Sequence, residues 1–131
     1  MPMREVPPIE PAGELMIRAT AMPADANPYG SAFVGWLMGQ MALAAGALVS
    51  REAGARAPVV AAEGFSFTAP LEVGDELSCY AMIAGQGRTS YQVQVEAWGR
   101  GRHGTAVARA AAGRFILVAI GAKGAPESTG A

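Results

Sequence analysis

The chain has 131 residues, enough for one domain with little room for a second. Hydrophobic residues make up 51% and charged residues 16%, which implies that some apolar surface is buried between subunits. A net charge of −1 with no basic run argues against nucleic acid and against an anionic membrane as partners. Cys79 is the only cysteine, so no disulfide forms within the chain, and a reducing cytoplasm is the expected location. The first eight residues hold no apolar segment of signal-peptide type. No internal repeat occurs, and no Cys/His cluster has metal-ligand spacing, so no metal is expected.

Residues 1–13 carry Pro2, Pro7, Pro8 and Pro11 and read as an extended N-terminal arm, free to pack on a neighbour. Residues 14–22 alternate weakly, Leu15, Ile17, Ala19 and Ala21 against Met16, Arg18 and Thr20, which predicts a first strand. Residues 23–30 are turn chemistry, with Pro, Asp, Asn and Gly. Ser31 then stands where a helix N-cap would stand. From Ala32 to Val49 the only conventional polar side chain is Gln40. A helix apolar on every face cannot lie on the surface of a soluble domain. At 18 residues the run reaches the threshold for a membrane span, and Gly35 and Gly39 form a small-xxx-small pair. Much of it is Ala and Gly, however, and no Trp/Tyr belt or Lys/Arg cluster flanks it. The strands that follow would also have nothing else to bury. The run is therefore read as a buried core helix whose glycines admit close approach of strands. Gly54, after Arg51 and Glu52, marks its end.

Residues 59–68 alternate Ala61, Glu63, Phe65 and Phe67 against Val60, Ala62, Gly64 and Ser66. Residues 70–75 form a loop. Residues 76–84 place Leu77, Cys79, Ala81 and Ile83 opposite Ser78, Tyr80 and Met82. After a turn at 85–87, residues 88–100 give the clearest alternation: Ser90, Gln92, Gln94 and Glu96 against Tyr91, Val93, Val95 and Ala97. Residues 101–104 turn the chain into an Ala-rich last strand at 105–120, and 121–131 read as a flexible tail. Four consecutive strands on short loops predict an antiparallel meander. The expected class is α+β: a single domain over 14–120, with a curved antiparallel sheet wrapped around one long central helix. A second copy of the chain would cover what the sheet leaves open.

With these residues in this order, the chain resembles the hotdog-fold acyl-CoA thioesterases, the bacterial acyl-CoA hydrolase family. The likeness runs from about residue 14 to residue 120. The family pattern Met-Pro-x-Asp-x-Asn-x-x-Gly-Asp-x-Phe-Gly-Gly-Trp stands here as Met22-Pro23-Ala24-Asp25-Ala26-Asn27-Pro28-Tyr29-Gly30-Ser31-Ala32-Phe33-Val34-Gly35-Trp36. Further matches are Glu63-Gly64-Phe65-Ser66-Phe67, Pro70-Leu71-Glu72-Val73-Gly74-Asp75, Gly87-Arg88-Thr89-Ser90 and the closing residues 115–120. The resemblance implies a hotdog fold and acyl-CoA hydrolysis. It also implies a homodimer with a continuous sheet, built into a hexamer or tetramer. No cofactor is implied beyond the CoA carried by the substrate.

Thioester hydrolysis needs an activated water or nucleophile, and preorganised donors for the oxyanion. The backbone N–H groups of Val34, Gly35 and Trp36, at a helix N-terminus, match the donors that the resemblance implies. Gly30 and Gly35 would permit close approach to ligand, or serve only turn and packing. The family's acid at the helix start is Ser31 here, and a second acid further along the helix falls at Ala42. Asn27 could position water or the carbonyl, or act as an Asx-turn residue. Asp25 fits a turn-stabilising role. Glu63 could be a base of raised pKa, or an exposed or Arg-paired strand residue. Ser31 could be a nucleophile only beside a base, and the sole histidine, His103, lies in a distant hairpin turn. The resemblance implies that the turn with Arg88, Thr89 and Ser90 lies near the CoA phosphates, though a surface turn carrying Arg is also ordinary; Trp36, Met38 and Met41 could line an acyl channel, with core packing favoured for Met41. The expected activity is weak hydrolysis of acyl-CoA. The alternative is a non-catalytic protein that binds acyl-CoA or a related ligand.

Overall fold

The computed structural model describes residues 10–121. Residues 1–9 of the expected arm (1–13) and 122–131 of the expected tail (121–131) lie outside the described residues. The elements are β1 (Glu14–Thr20), a 3-10 turn (Pro23–Asp25), α1 (Val34–Ala53), β2 (Val59–Phe67), β3 (Glu76–Gln86), β4 (Ser90–Arg100) and β5 (Val107–Val118). All five strands join one antiparallel sheet in the order β1-β3-β4-β5-β2. The α+β class holds, but the meander is limited to β3, β4 and β5. β2 crosses to the far edge and pairs with β5, because residues 68–75 are long enough to carry the chain back to β3.

The sheet buries one face, as its alternation requires. Tyr91, Val93, Val95 and Ala97 on β4 and Phe115 and Leu117 on β5 point into the core. Gln92, Gln94 and Arg114 lie on the opposite, outer face. Leu37, Met41, Ala44, Ala45, Leu48 and Val49 recur at helical spacing and fill the concave side. Each of the larger ones contributes about 1.5–3 kcal/mol by leaving water. The opposite side of α1 is open. Leu43 is 59% exposed, and an apolar groove of about 540 Å³ runs between Ile17, Gly39, Ala42, Leu43, Gly46 and Val59. Within one chain the helix is therefore covered on one side, not all round. Among the described residues no helix is long and apolar enough to cross a membrane.

The helix ends as its sequence requires and begins later. Gly54 takes the left-handed conformation (φ +62°) and donates its N–H to Ser50 O. Ser31 is not the N-cap. That position belongs to Phe33, which makes no side-chain cap, and α1 starts at Val34. Ser31 is instead drawn into an extended bridge with Glu72. A bulge in β1 between Leu15 and Ile17 also breaks the expected alternation, so Met16 and Ile17 both pack on the core and Leu15 turns outward. At the outer face, buried Glu96 accepts N–H bonds from Trp98 Nε1 (2.9 Å) and Ala12 (3.1 Å), which ties the segment before β1 to the sheet.

Glu76, at the start of β3, sits between Arg100 (3.3 Å) and Arg18 (3.6 Å). Hydrogen bonding from Arg100 chiefly holds its carboxyl below the ordinary value; partial desolvation opposes this, and the charges of Arg100 and Arg18 reinforce it. A lowered folded pKa gives stability that is present above the unfolded pKa and fades as pH falls through the folded one. Glu76→Gln is therefore expected to lower the Tm at neutral pH and to leave it unchanged in strong acid. Thermal melts of both proteins across that range check this.

Candidate active site

The entrance to α1 is built by two loops. In the first, the Asp25 carboxylate accepts the N–H of Met22 (2.9 Å), and Asp25 O accepts the N–H of Phe33 (2.8 Å). Asn27 Oδ1 accepts two backbone N–H bonds, from Tyr29 (2.8 Å) and Ser31 (3.1 Å). Gly30, at φ +92°, makes the reversal between them possible. Asn27 is thus an Asx-turn residue. Its amide nitrogen has no partner among the described residues. Asp25 takes the turn-stabilising role expected of it.

The second loop fixes the first. Ser31 and Glu72 form an isolated antiparallel bridge, and the N–H of Ala32 donates to Leu71 O (2.7 Å). Leu71 is buried against Gly99, where an added Cβ would come within 2.6 Å of Leu71 Cδ1. The N–H of Asp75 donates to Glu72 O (3.0 Å), and the Asp75 carboxylate accepts the N–H of Glu72 (2.9 Å). The chain therefore enters α1 at a fixed angle. The first bond of the helical ladder runs from Leu37 N–H to Phe33 O (3.1 Å). The N–H groups of Val34, Gly35 and Trp36 precede it, at the positive end of the helix dipole. A cleft of about 280 Å³ opens beside this turn, lined by Asn27, Ser31, Val34, Leu37, Phe67 and Pro70 among others. Such a turn can hold a carbonyl oxygen that becomes an oxyanion.

The structure brings Asn27 and Ser31 together in this cleft, with Gly35 in the adjoining turn. A Cβ at Gly35 would lie 2.5 Å from Phe33 Cε1, so its close neighbour within the chain is the Phe33 ring. Trp36 and Met38 are half-buried against the core and do not line the cleft. Ala42 lines the open groove and carries no acid.

Glu63 takes the exposed, Arg-paired alternative and does not line the cleft within the chain. A bulge between Glu63 and Ser66, with Gly64 at φ +65°, puts Glu63 and Phe65 on opposite faces although they are two residues apart. Phe65 packs inward against Phe115, with ring centroids 4.9 Å apart. Glu63 lies outward, 3.8 Å from Arg114 and largely exposed. Arg88, Thr89 and Ser90 are also remote within the chain. Ser90 pairs with Val118, whereas the cleft adjoins Phe67, which pairs with Ala111. Seven residues of β5 separate the two, roughly 23 Å. Among the described residues the hydrogen-bond partners of Ser31 do not include His103. Cys79 is fully buried, which pushes its thiol up to about 12 and leaves it inert.

One neighbour of the site escapes sequence reasoning: Glu72, exposed outside the cleft lining, whose Oε1 lies 3.5 Å from Ser31 Oγ. The two are 41 positions apart, and no local pattern marks them as partners.

A curved antiparallel sheet over one long helix, with a cleft at the helix N-terminus, defines a protein of hotdog fold and thioesterase type. The profile of the thioesterase superfamily matches residues 29–106, and the chain belongs to that superfamily, in its acyl-CoA thioester hydrolase family. It is 50% identical over 113 residues to an uncharacterized acyl-CoA thioester hydrolase of Zymomonas mobilis, covering 86% of this chain and 76% of that protein. It is 38% identical over 120 residues to the acyl-CoA thioester hydrolase YciA of Salmonella typhimurium, covering 89% and 90%. The crystal structure of the hexameric thioesterase y2039 from Yersinia pestis superposes with a TM-score of 0.86 at 36% identity, covering 91% and 97%.

Asn27→Ala removes the acceptor of two backbone bonds, each worth about 0.5–1.5 kcal/mol net. It is expected to lower the Tm and to speed hydrogen exchange at the Tyr29 and Ser31 amides. Asn27→Asp, which keeps the acceptor, should retain most of the protection.

Proposed function

We propose that the protein is an acyl-CoA thioester hydrolase that releases a free carboxylic acid and CoA, with no cofactor beyond the CoA carried by its substrate. The observation that carries this reading is the cleft beside the first turn of α1, whose N–H groups at Val34, Gly35 and Trp36 precede the helical ladder and have no partner among the described residues. The named activity of its relatives supports the substrate class. Water would be positioned by Asn27 and Ser31. Ser31 and Ala42 supply no carboxylate, so turnover is expected to be slow where no other element supplies a base; a missing general base commonly costs ~10²–10⁴ in rate.

The working unit is a homodimer, assembled further into a hexamer as in the Yersinia pestis thioesterase. The apolar groove on α1 and the unpaired edge of β2 support a second copy as the cover. Antiparallel pairing of two β2 edges would reverse the ends of the sheets. It would bring Arg88, Thr89 and Ser90 of one copy to the cleft end of the other, where the Arg88 guanidinium suits the CoA phosphates. A cytoplasmic location suits the single buried Cys79.

Free-thiol release from butyryl-CoA, palmitoyl-CoA and benzoyl-CoA tests the activity. Turnover of at least one is expected. Saturable CoA binding with no turnover of any would favour the non-catalytic alternative, which the absence of an acid at positions 31 and 42 makes a definite second reading. Leu43→Glu places a charge in the groove and is expected to shift the mass in light scattering from the oligomer to the monomer.

A further inference from the structure

We propose that Glu72 is the general base of this site, acting on a water held between its carboxylate and the Ser31 hydroxyl. This rests on the hydrolase reading above and assigns the base that positions 31 and 42 do not supply.

Three carboxylates stand on the two loops that form the mouth of α1: Asp25, Glu72 and Asp75. Two of them are committed to the backbone, Asp25 to the N–H of Met22 and Asp75 to the N–H of Glu72. The Glu72 carboxylate has no cationic partner among the described residues, and its hydrogen-bonding contact is Ser31 Oγ at 3.5 Å. That is a long contact between two oxygens, and a single water can touch both. Ser31 lines the cleft, and its own N–H is held by Asn27 Oδ1, so its backbone is fixed relative to the first turn of α1. The backbone of Glu72 is fixed as well, by the bridge to Ser31 and by Asp75. The two backbones are therefore held side by side at the entrance to α1, with Glu72 exposed at the rim of the cleft that Ser31 lines.

The step balances without any further reactant. Glu72 takes a proton from the water as its oxygen bonds to the carbonyl carbon, and the N–H groups of α1 receive the oxyanion. The intermediate then collapses, the C–S bond breaks, and the CoA sulfur takes the proton from the Glu72 carboxyl. Thioester and water become carboxylic acid and thiol.

The test compares kcat and KM for butyryl-CoA, palmitoyl-CoA and benzoyl-CoA in the full-length protein and three variants. Glu72→Ala is expected to lower kcat ~10²–10⁴-fold with KM changed only a few-fold. Sodium formate should restore part of that loss in a dose-dependent way. Glu72→Gln, which keeps the side chain's shape, should lose as much and resist formate. Ser31→Asp in the Glu72→Ala background should also recover turnover, because it returns a carboxylate to the same water. If the parent protein hydrolyses a thioester and Glu72→Ala does so at the same kcat, the role of Glu72 is overturned and the hydrolase reading stands. A loss that neither formate nor Ser31→Asp repairs, in variants with unchanged Tm and mass, likewise overturns it. A parent protein that turns over none of the three substrates overturns both.

Discussion

α1 is apolar around its whole girth, and the sheet of one chain covers one side of it. The rest of the structure follows from that mismatch. The sheet curls to reach Leu37, Met41, Leu48 and Val49, and it stops short of Leu43. Small residues on the open side, Gly39, Ala42 and Gly46, leave a broad apolar groove where another surface can approach the helix backbone. The edge strand β2 adjoins that groove through Val59, with Val60 59% exposed. Apolar surface of this kind, next to an open strand edge, is what a subunit interface consumes and what a free monomer cannot leave in water at no cost.

The position of the helix start is set across the chain and not by the residues beside it. A local reading puts the N-cap at Ser31, since serine is a good cap and the apolar run begins after it. The bridge from 31–32 to 71–72 makes those residues extended, and α1 begins at Val34. That displacement has a chemical effect. A capping serine would spend its oxygen on an N–H of the first turn. Here the first-turn N–H groups stay free, and the hydroxyl of Ser31 faces the cleft and Glu72.

Most of the fold was legible because its signals are periodic. β4 showed strict alternation, α1 an unbroken apolar run, and Gly54 a stop that needs a left-handed residue. The failures share a cause. Bulges at Met16 and Gly64 each add one residue to a strand, and a period-two pattern read through a bulge assigns the wrong face beyond it. Alternation alone sets Glu63 on one face with Phe65, and so left open whether it was a base or an exposed residue. Strand order was also hidden, since an antiparallel neighbour in sequence is only by default a neighbour in space, and β2 lies beside β5 instead. At the site, Asn27 and Ser31 were legible from their place before the helix. Glu72 was not, because its relation to Ser31 exists only after residues 41 positions apart have paired.

The two halves of the chemistry differ in how they depend on sequence. Oxyanion donors at a helix N-terminus are backbone groups. They survive any substitution that leaves the helix start in place, so Ser31 and Ala42 do not weaken them. A general base is a side chain, and one substitution removes it. It can, however, be replaced from any element that reaches the same water. The segment entering α1 and the loop 68–75 are bonded to each other over several positions, so both present side chains to the same cleft. A carboxylate absent from one strand of that bridge can be supplied by the other without moving the donors, the cleft or the helix. Glu72 stands at that position.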